Sequence, residues 1–364
     1  MATVNKDFKI KSGLIVEGTT ATVNNFDVLT KKTADQNYII DLIGGTATSA
    51  NTANTVVKRD ASGNFAAGTI TAGGTLGILI PPSIMLVVMG PILNVPVTDL
   101  FAAAIMPGLM LAVLYTGYTL IRCHLNPSLG PVVPEDLIPD SMREVWIEFF
   151  KGLVPPVLLV GSSLGSILAG LATPTEGAAM GAVGSIFLTL AYRKLNFKVF
   201  QEALLKTLEI TTLIMVLVCA SNFFGSVFSR LGTPTMITEA LMLLDLPPTA
   251  ILLIVMAFIF LLAWPLEWVP IVLIIIPIIL PLIEQLGFNL TWFGILVAVN
   301  LQTAWLSPPV ALSAYFLKGV APEWDLADIY KGMMQFMVIQ VIGLILIIVF
   351  PKIALWLPAY LYGQ

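Results

Sequence analysis

Nine stretches of this chain carry no charged residue: 61–98, 100–121, 152–175, 177–192, 210–229, 246–266, 268–283, 285–317 and 332–351. A helix needs about 20 mostly apolar residues to cross a bilayer, and several of these runs are that long. The chain is 57% hydrophobic and 11% charged, where soluble domains run near roughly 25% charged. In water that much apolar volume would have to be matched by polar surface. A lipid solvent removes the requirement, so the sequence predicts a mainly α, polytopic membrane protein.

The charges are unevenly placed. Residues 1–72 carry 13 of them, with a net charge of +1, and the remaining 292 residues carry 27, with a net charge of −5. Two units are therefore expected, joined near residue 72. The first has short alternating runs between Gly, Thr, Asn and Asp turn residues, no long apolar run and no signal-peptide pattern. It reads as a small β-rich or extended segment, too poor in large apolar side chains to build a core alone. Its stretches DFKIKSGLIVEGTTATV (7–23) and TANTVVKRDASGNFAAGTITA (52–72) resemble phage tail-fibre or virion structural proteins.

Two connecting segments have interfacial character. In residues 140–151, Met142, Val145, Trp146, Phe149 and Phe150 share one helical face, with Arg143, Glu144 and Glu148 on another. Residues 193–208 behave similarly, and their basic residues Arg193, Lys194, Lys198 and Lys206 place that link in the cytoplasm. Counting outward from it, residues 210–229 cross out, 246–285 form a hairpin tipped by Glu267, 291–317 cross inward and 332–357 cross out.

An internal repeat points to chemistry. GTLGILIPPS (74–83) and QTAWLSPPV (302–310) each precede an apolar stretch, then an acidic step, Asp99-Leu100-Phe101 or Asp328-Ile329-Tyr330. A double proline inside a span withholds two N–H donors and must break the helix. Broken backbone at membrane depth is tolerated only where it is buried in protein or lines a cavity. Freed carbonyls and Ser/Thr hydroxyls suit Na⁺, half-helix N-termini suit an anionic substrate, and paired broken segments mark a transporter site. Glu267, an acid between two apolar arms, fits such a site, because a carboxylate in that setting is expensive. A hairpin cap at the membrane surface is the plainer reading of it. Glu176, in Thr173-Pro174-Thr175-Glu176, reads as a structural helix cap.

Four motifs carry a family resemblance: GGTLGILIPPSIMLVVMG (73–90), LAGLATPTEGAAMGAVG (168–184), WPLEWVPIVLIIIPIILP (264–281) and VNLQTAWLSPPVALSAYFLKGVAPEWDLADIYKGMMQF (299–336). With them, residues 72–364 resemble the large membrane subunit of TRAP-type transporters. The resemblance implies an elevator-type secondary transporter with two inverted repeats. Its hairpin would be 246–285 and its broken helices 74–94 and 291–317. It implies Na⁺ as coupling ion with no other cofactor, and a small organic acid as substrate. The implied partners are a periplasmic substrate-binding protein and a small membrane subunit, and the implied location is the bacterial inner membrane. On this reading residues 73–122 end the first repeat, 123–151 link, and 152–364 form a complete second repeat. The start of the first repeat, with its hairpin, would be replaced by the tail-fibre-like segment, giving a chimera unable to transport alone.

The residues assigned to Na⁺ are Thr75, Gly77, Thr303 and Ser307, and those assigned to substrate are Ser83, Glu267 and Gln302. The alternative is a virion structural protein whose N-terminal arm is the working part, and the uncharged length of 285–317 argues against it. Enzymatic chemistry is not expected. There is one histidine, His124, the cysteines Cys123 and Cys219 are unclustered, and no Walker A pattern or nucleic-acid motif appears.

Overall fold

The structure is a computed structural model describing residues 21–23, 26–28, 61–130, 141–308, 311–321 and 324–363. The chain divides into two units, Met1–Gly63 with Asn126–Ile138, and Asn64–Leu125 with Pro139–Gln364. In the first unit, β1 (Ala21–Val23) and β2 (Phe26–Val28) pair antiparallel, with Ala21 opposite Val28. A 3₁₀ turn spans Pro127–Leu129. The rest of the expected β-rich segment before residue 61 lies outside the described residues.

The second unit is helical. In chain order it contains α1 (Ala61–Leu79), α2 (Ile84–Leu93), α3 (Val97–Leu125), α4 (Met142–Leu168), α5 (Pro174–Ala191), α6 (Phe197–Arg230) and α7 (Thr233–Met242). It continues with α8 (Pro248–Ala263), α9 (Trp268–Gln285), α10 (Leu290–Leu306), α11 (Leu312–Val320), α12 (Leu326–Val349) and α13 (Lys352–Tyr362). Five described helices, α3, α4, α6, α9 and α12, are long and apolar enough to cross a membrane, and the bent pair α1–α2 is a sixth candidate.

The boundary expected near residue 72 falls inside α1, which starts at Ala61 and runs on to Leu79. Helix α1 contains no charged residue, so the change in charge density that suggested a boundary at 72 belongs to the residues before it. The two interfacial segments are likewise not separate helices. Residues 142–151 are the first turns of α4, and 197–208 the first turns of α6. At 34 residues α6 is about 51 Å long, against a hydrocarbon core of ~30 Å. Its amphipathic beginning is continuous with the rest of the helix.

Helix α10 is the centre of the unit. Fourteen of its seventeen residues are buried, the pattern of a helix apolar all round. Around it pack α2, α3, α8, α12 and α13, with Met89, Leu93, Leu100, Phe293 and Leu296 among the fully covered side chains. Gly294 permits the approach of α2 and α3, since a Cβ there would meet Leu93 Cδ1 at 2.7 Å and Leu100 Cδ2 at 3.0 Å. Helices α4 to α6 differ. The candidate span within α6 is 0% buried and that within α4 11%, and Phe187, Leu213 and Phe223 are among the exposed side chains. α4 and α5 pair through Ser163, whose Oγ donates to the Gly177 carbonyl at 2.6 Å.

Candidate functional site

Both proline pairs break their helices. α1 and α2 meet at a bend of 43° across residues 80–83, and α10 ends at Leu306 with α11 starting at Leu312. Pro309 and Val310 lie outside the described residues. The chemistry of each break follows from which N–H is missing. A proline deprives the carbonyl four residues earlier of its helical partner. Pro81 and Pro82 thus release the carbonyls of Gly77 and Ile78, and Pro308 and Pro309 those of Ala304 and Trp305. In each break a serine takes up the second released carbonyl. Ser83 Oγ donates to Ile78 O, and Ser313 Oγ donates to Trp305 O. The first released carbonyls, Gly77 O and Ala304 O, receive no such serine bond among the described residues.

The breaks are joined to one another. Gln302 Nε2 donates to the Thr75 carbonyl at 3.3 Å. The two residues are 227 positions apart, the same offset as the two proline pairs, so equivalent positions of the two repeats meet. Gln302 Oε1 accepts from Gln340 Nε2, which also donates to Val299 O at 2.9 Å, and Tyr115 OH donates to Gln340 Oε1. Thr75, Gln302, Thr303, Ser307 and Gln340 are all fully buried. A polar network at that depth holds one arrangement because its alternatives leave polar groups unpaired.

The expected site residues divide on this geometry. Thr303 lies in the last turn of α10 and Ser307 is the extended C-cap residue that follows Leu306. Thr303 Oγ1 donates to Asn300 O at 2.6 Å and keeps its lone pairs, while Ser307 Oγ is buried and has no partner among the described residues. Thr75 repeats the pattern in the first break, donating to Ala72 O at 2.7 Å. Gly77 stands on the exposed side of α1, with no atom within 4 Å of where a Cβ would be.

Two of the residues assigned to substrate carry structural hydrogen bonds. Ser83 is committed as the N-cap of α2, accepting from Leu86 N at 3.5 Å while donating to Ile78 O. Gln302 spends both amide ends inside the protein. Each of these bonds ties a proline break to the rest of the structure. Glu267 is half-buried at the turn between α8 and α9, where it is the N-cap residue preceding Trp268. No hydrogen bond among the described residues ties it to Ser83, Gln302 or Ser307.

Sequence reading missed Ala304, Ser313, Tyr115 and Gln340. Ala304 and Ser313 could have been found by counting back four and forward from each proline. Tyr115 and Gln340 carry no local signal. Two indole N–H groups, Trp264 before the hairpin turn and Trp305 at the second break, are also buried without partners among the described residues. Glu176 is the cap expected: Thr173 N and Thr173 Oγ1 donate to its carboxylate at 2.8 and 2.9 Å. Those bonds hold its carboxyl below the usual glutamate range.

Comparison with known proteins gives a consistent picture. The family model for the DctM component of the tripartite ATP-independent periplasmic transporter matches residues 45–353, beginning ahead of the boundary expected near 72. The C4-dicarboxylate TRAP transporter large permease protein DctM of Pseudomonas aeruginosa is 30% identical over 300 residues, covering 82% of this chain and 68% of its own length. The sialic acid TRAP transporter large permease protein SiaM of Vibrio cholerae is 28% identical over 306 residues, covering 83% and 69%. The 2,3-diketo-L-gulonate TRAP transporter large permease protein YiaN of Escherichia coli is 26% identical over 294 residues, covering 80% and 67%.

Proposed function

The chain belongs to the DctM component family of tripartite ATP-independent periplasmic transporters, integral membrane permeases and not enzymes, and on that premise we propose that it couples Na⁺ binding to passage of a small organic acid. The observation that carries this reading is the meeting of the two proline breaks at Thr75 and Gln302. Each break offers neutral oxygens, and neutral oxygens suit a hard monovalent cation. At the second break these are Ser307 Oγ, the Ala304 carbonyl and the Thr303 hydroxyl. At the first they are the Thr75 hydroxyl and the Gly77 carbonyl.

The substrate is an anion, and its class follows from donors and charge. The N-terminal ends of α2 and α11 and the unpartnered indoles of Trp264 and Trp305 are N–H groups that a carboxylate can take. Glu267 near a substrate carboxylate would repel it unless a cation lay between them, which ties substrate to Na⁺. C4-dicarboxylates, sialic acid and diketogulonate are the substrates in the names of the relatives, so a carboxylate of that size is the first to try. The chain works with a small membrane subunit and a periplasmic binding protein in the bacterial inner membrane. Its hairpin, α8 and α9, moves as an elevator gate against α10.

The test is uptake of radiolabelled succinate into proteoliposomes holding the chain, a small subunit and a succinate-loaded binding protein. An inward Na⁺ gradient should drive uptake and a K⁺ gradient should not. Uptake indifferent to the cation would overturn the coupling. No uptake with either gradient would overturn the transport reading.

A further inference from the structure

Helices α3 and α13 pack against each other and leave an open apolar groove of about 590 Å³. Its α3 wall runs from Met106 to Leu114, and α13 supplies Lys352, Ile353 and Trp356. Lys352 is the one charged residue that lines it among the described residues, and it is exposed. It takes part in no ion pair among the described residues. The paired lysines differ from it for a reason of sequence. Lys151, Lys198, Lys206 and Lys331 each meet an acid three or four positions away on the same helix, whereas α13, KIALWLPAYLY, contains no acid.

Lys352 is also badly placed for its own helix. It is the first residue of α13, and a cation in the first turn opposes the helix dipole. An anion held against the ammonium would offset both the unpaired charge and the dipole. Further along α13, Trp356 and Tyr360 are exposed and stacked, with ring centroids 5.8 Å apart and planes 12° apart. Trp, Tyr and a snorkelling Lys are the side chains that sit where hydrocarbon meets headgroups. The α3 wall rises by about 12 Å from Met106 to Leu114, and one leaflet of the hydrocarbon core is ~15 Å deep. A groove of that length takes a lipid tail and is too short to seat a helix that crosses both leaflets. Tail and charge together select the ligand, a fatty chain that ends in a phosphate.

We propose that the groove between α3 and α13 binds an anionic phospholipid, with its phosphate on Lys352 and one acyl chain along Met106, Met110 and Trp356. The inference stands apart from the transport reading, since it needs only that α3 lies in a bilayer.

The test is quenching of Trp356 emission by brominated lipids in nanodiscs that hold the full chain. The chain has seven tryptophans, so the Trp356 signal is the difference between the unaltered chain and Trp356→Phe, taken in each background. Dibrominated phosphatidylglycerol, mixed into unlabelled phosphatidylcholine, should reach half-maximal quenching at about fivefold lower mole fraction than dibrominated phosphatidylcholine, the ratio that one lysine at a membrane surface provides. Lys352→Gln should bring the two curves together, and Lys352→Arg should keep them apart. Lys352 is exposed, so neither substitution disturbs the core. Equal quenching by the two lipids in the unaltered chain would overturn the proposal, and so would a preference that survives Lys352→Gln. Quenching by neither lipid would mean that a protein segment covers the groove, which also overturns it.

Discussion

At the scale of single residues, the close contacts of α12 with α1 give the sharpest expectations. A Cβ on Gly332 would stand 1.8 Å from Asn64 O and 2.8 Å from Gly68 N, both backbone atoms that no rotamer change can move. Gly332→Ala must push the helices apart and should lower stability by about 1–3 kcal/mol or more, as overpacked cores do. The same change at Gly117 of α3, where nothing lies within 4 Å, should be neutral or stabilising by up to ~1 kcal/mol, since alanine is the better helix former. Thermal unfolding of both purified variants checks the contrast, and equal effects would contradict it. Some residue roles were legible beforehand. Thr173 and Glu176 form the capping box their spacing announced, because both partners lie within four residues. The bonds of Gln302 were not legible because its partners, Thr75 and Gln340, are 227 and 38 residues away, and no local pattern reports on them.

At the scale of elements, the breaks were legible and the uninterrupted helices were not. Pro81-Pro82 and Pro308-Pro309 interrupt their helices, yet Pro155-Pro156 lies within α4, which continues to Leu168. The surroundings account for part of the difference. Pro155 releases the carbonyl of Lys151, and the OH of Tyr192, the C-cap residue of α5, donates to it at 3.0 Å, so one orphaned group has a partner from the neighbouring helix. A double proline therefore predicts orphaned carbonyls, and the break depends on what else can satisfy them. It follows that Pro308→Ala, which restores an N–H for the Ala304 carbonyl, should raise the Na⁺ concentration for half-saturation about tenfold, or ~1.4 kcal/mol. A Na⁺ titration of the variant checks this, and unchanged affinity would remove Ala304 O from the site. The bridge between the repeats is testable by a double-mutant cycle. Gln302→Leu and Gln340→Leu, measured singly and together by thermal unfolding, should show a coupling of ~0.5–3 kcal/mol. Strict additivity would mean that the two amides do not work as a unit.

At the scale of the whole molecule, the absence of charge over long stretches was enough to read a membrane protein, and the internal repeat was enough to find two broken helices. The sequence did not show that the apolar helices after residue 141 differ in burial. α10 is enclosed, while α4 to α6 present apolar side chains outward, because packing partners far along the chain decide which apolar helix becomes the core. Nor did it show that the amphipathic beginnings of α4 and α6 continue their helices. Both features predict an order of hydrogen exchange in nanodiscs. The amides of α10 should exchange last. Those of residues 142–151 and 197–208, all of them exposed, should exchange first among the long helices. Protection of those turns equal to that of α10 would mean that they are covered.

The central claim is that the two proline breaks, joined through Thr75 and Gln302, form one site for Na⁺. Equilibrium binding of radioactive Na⁺ to the full chain in nanodiscs, by scintillation proximity, tests it most directly. The account predicts saturable binding that K⁺ does not displace, weakened about tenfold by Ser307→Ala, whose hydroxyl has no other partner among the described residues, a loss of ~1.4 kcal/mol. Absence of saturable binding, or binding that Ser307→Ala leaves unchanged, would contradict it.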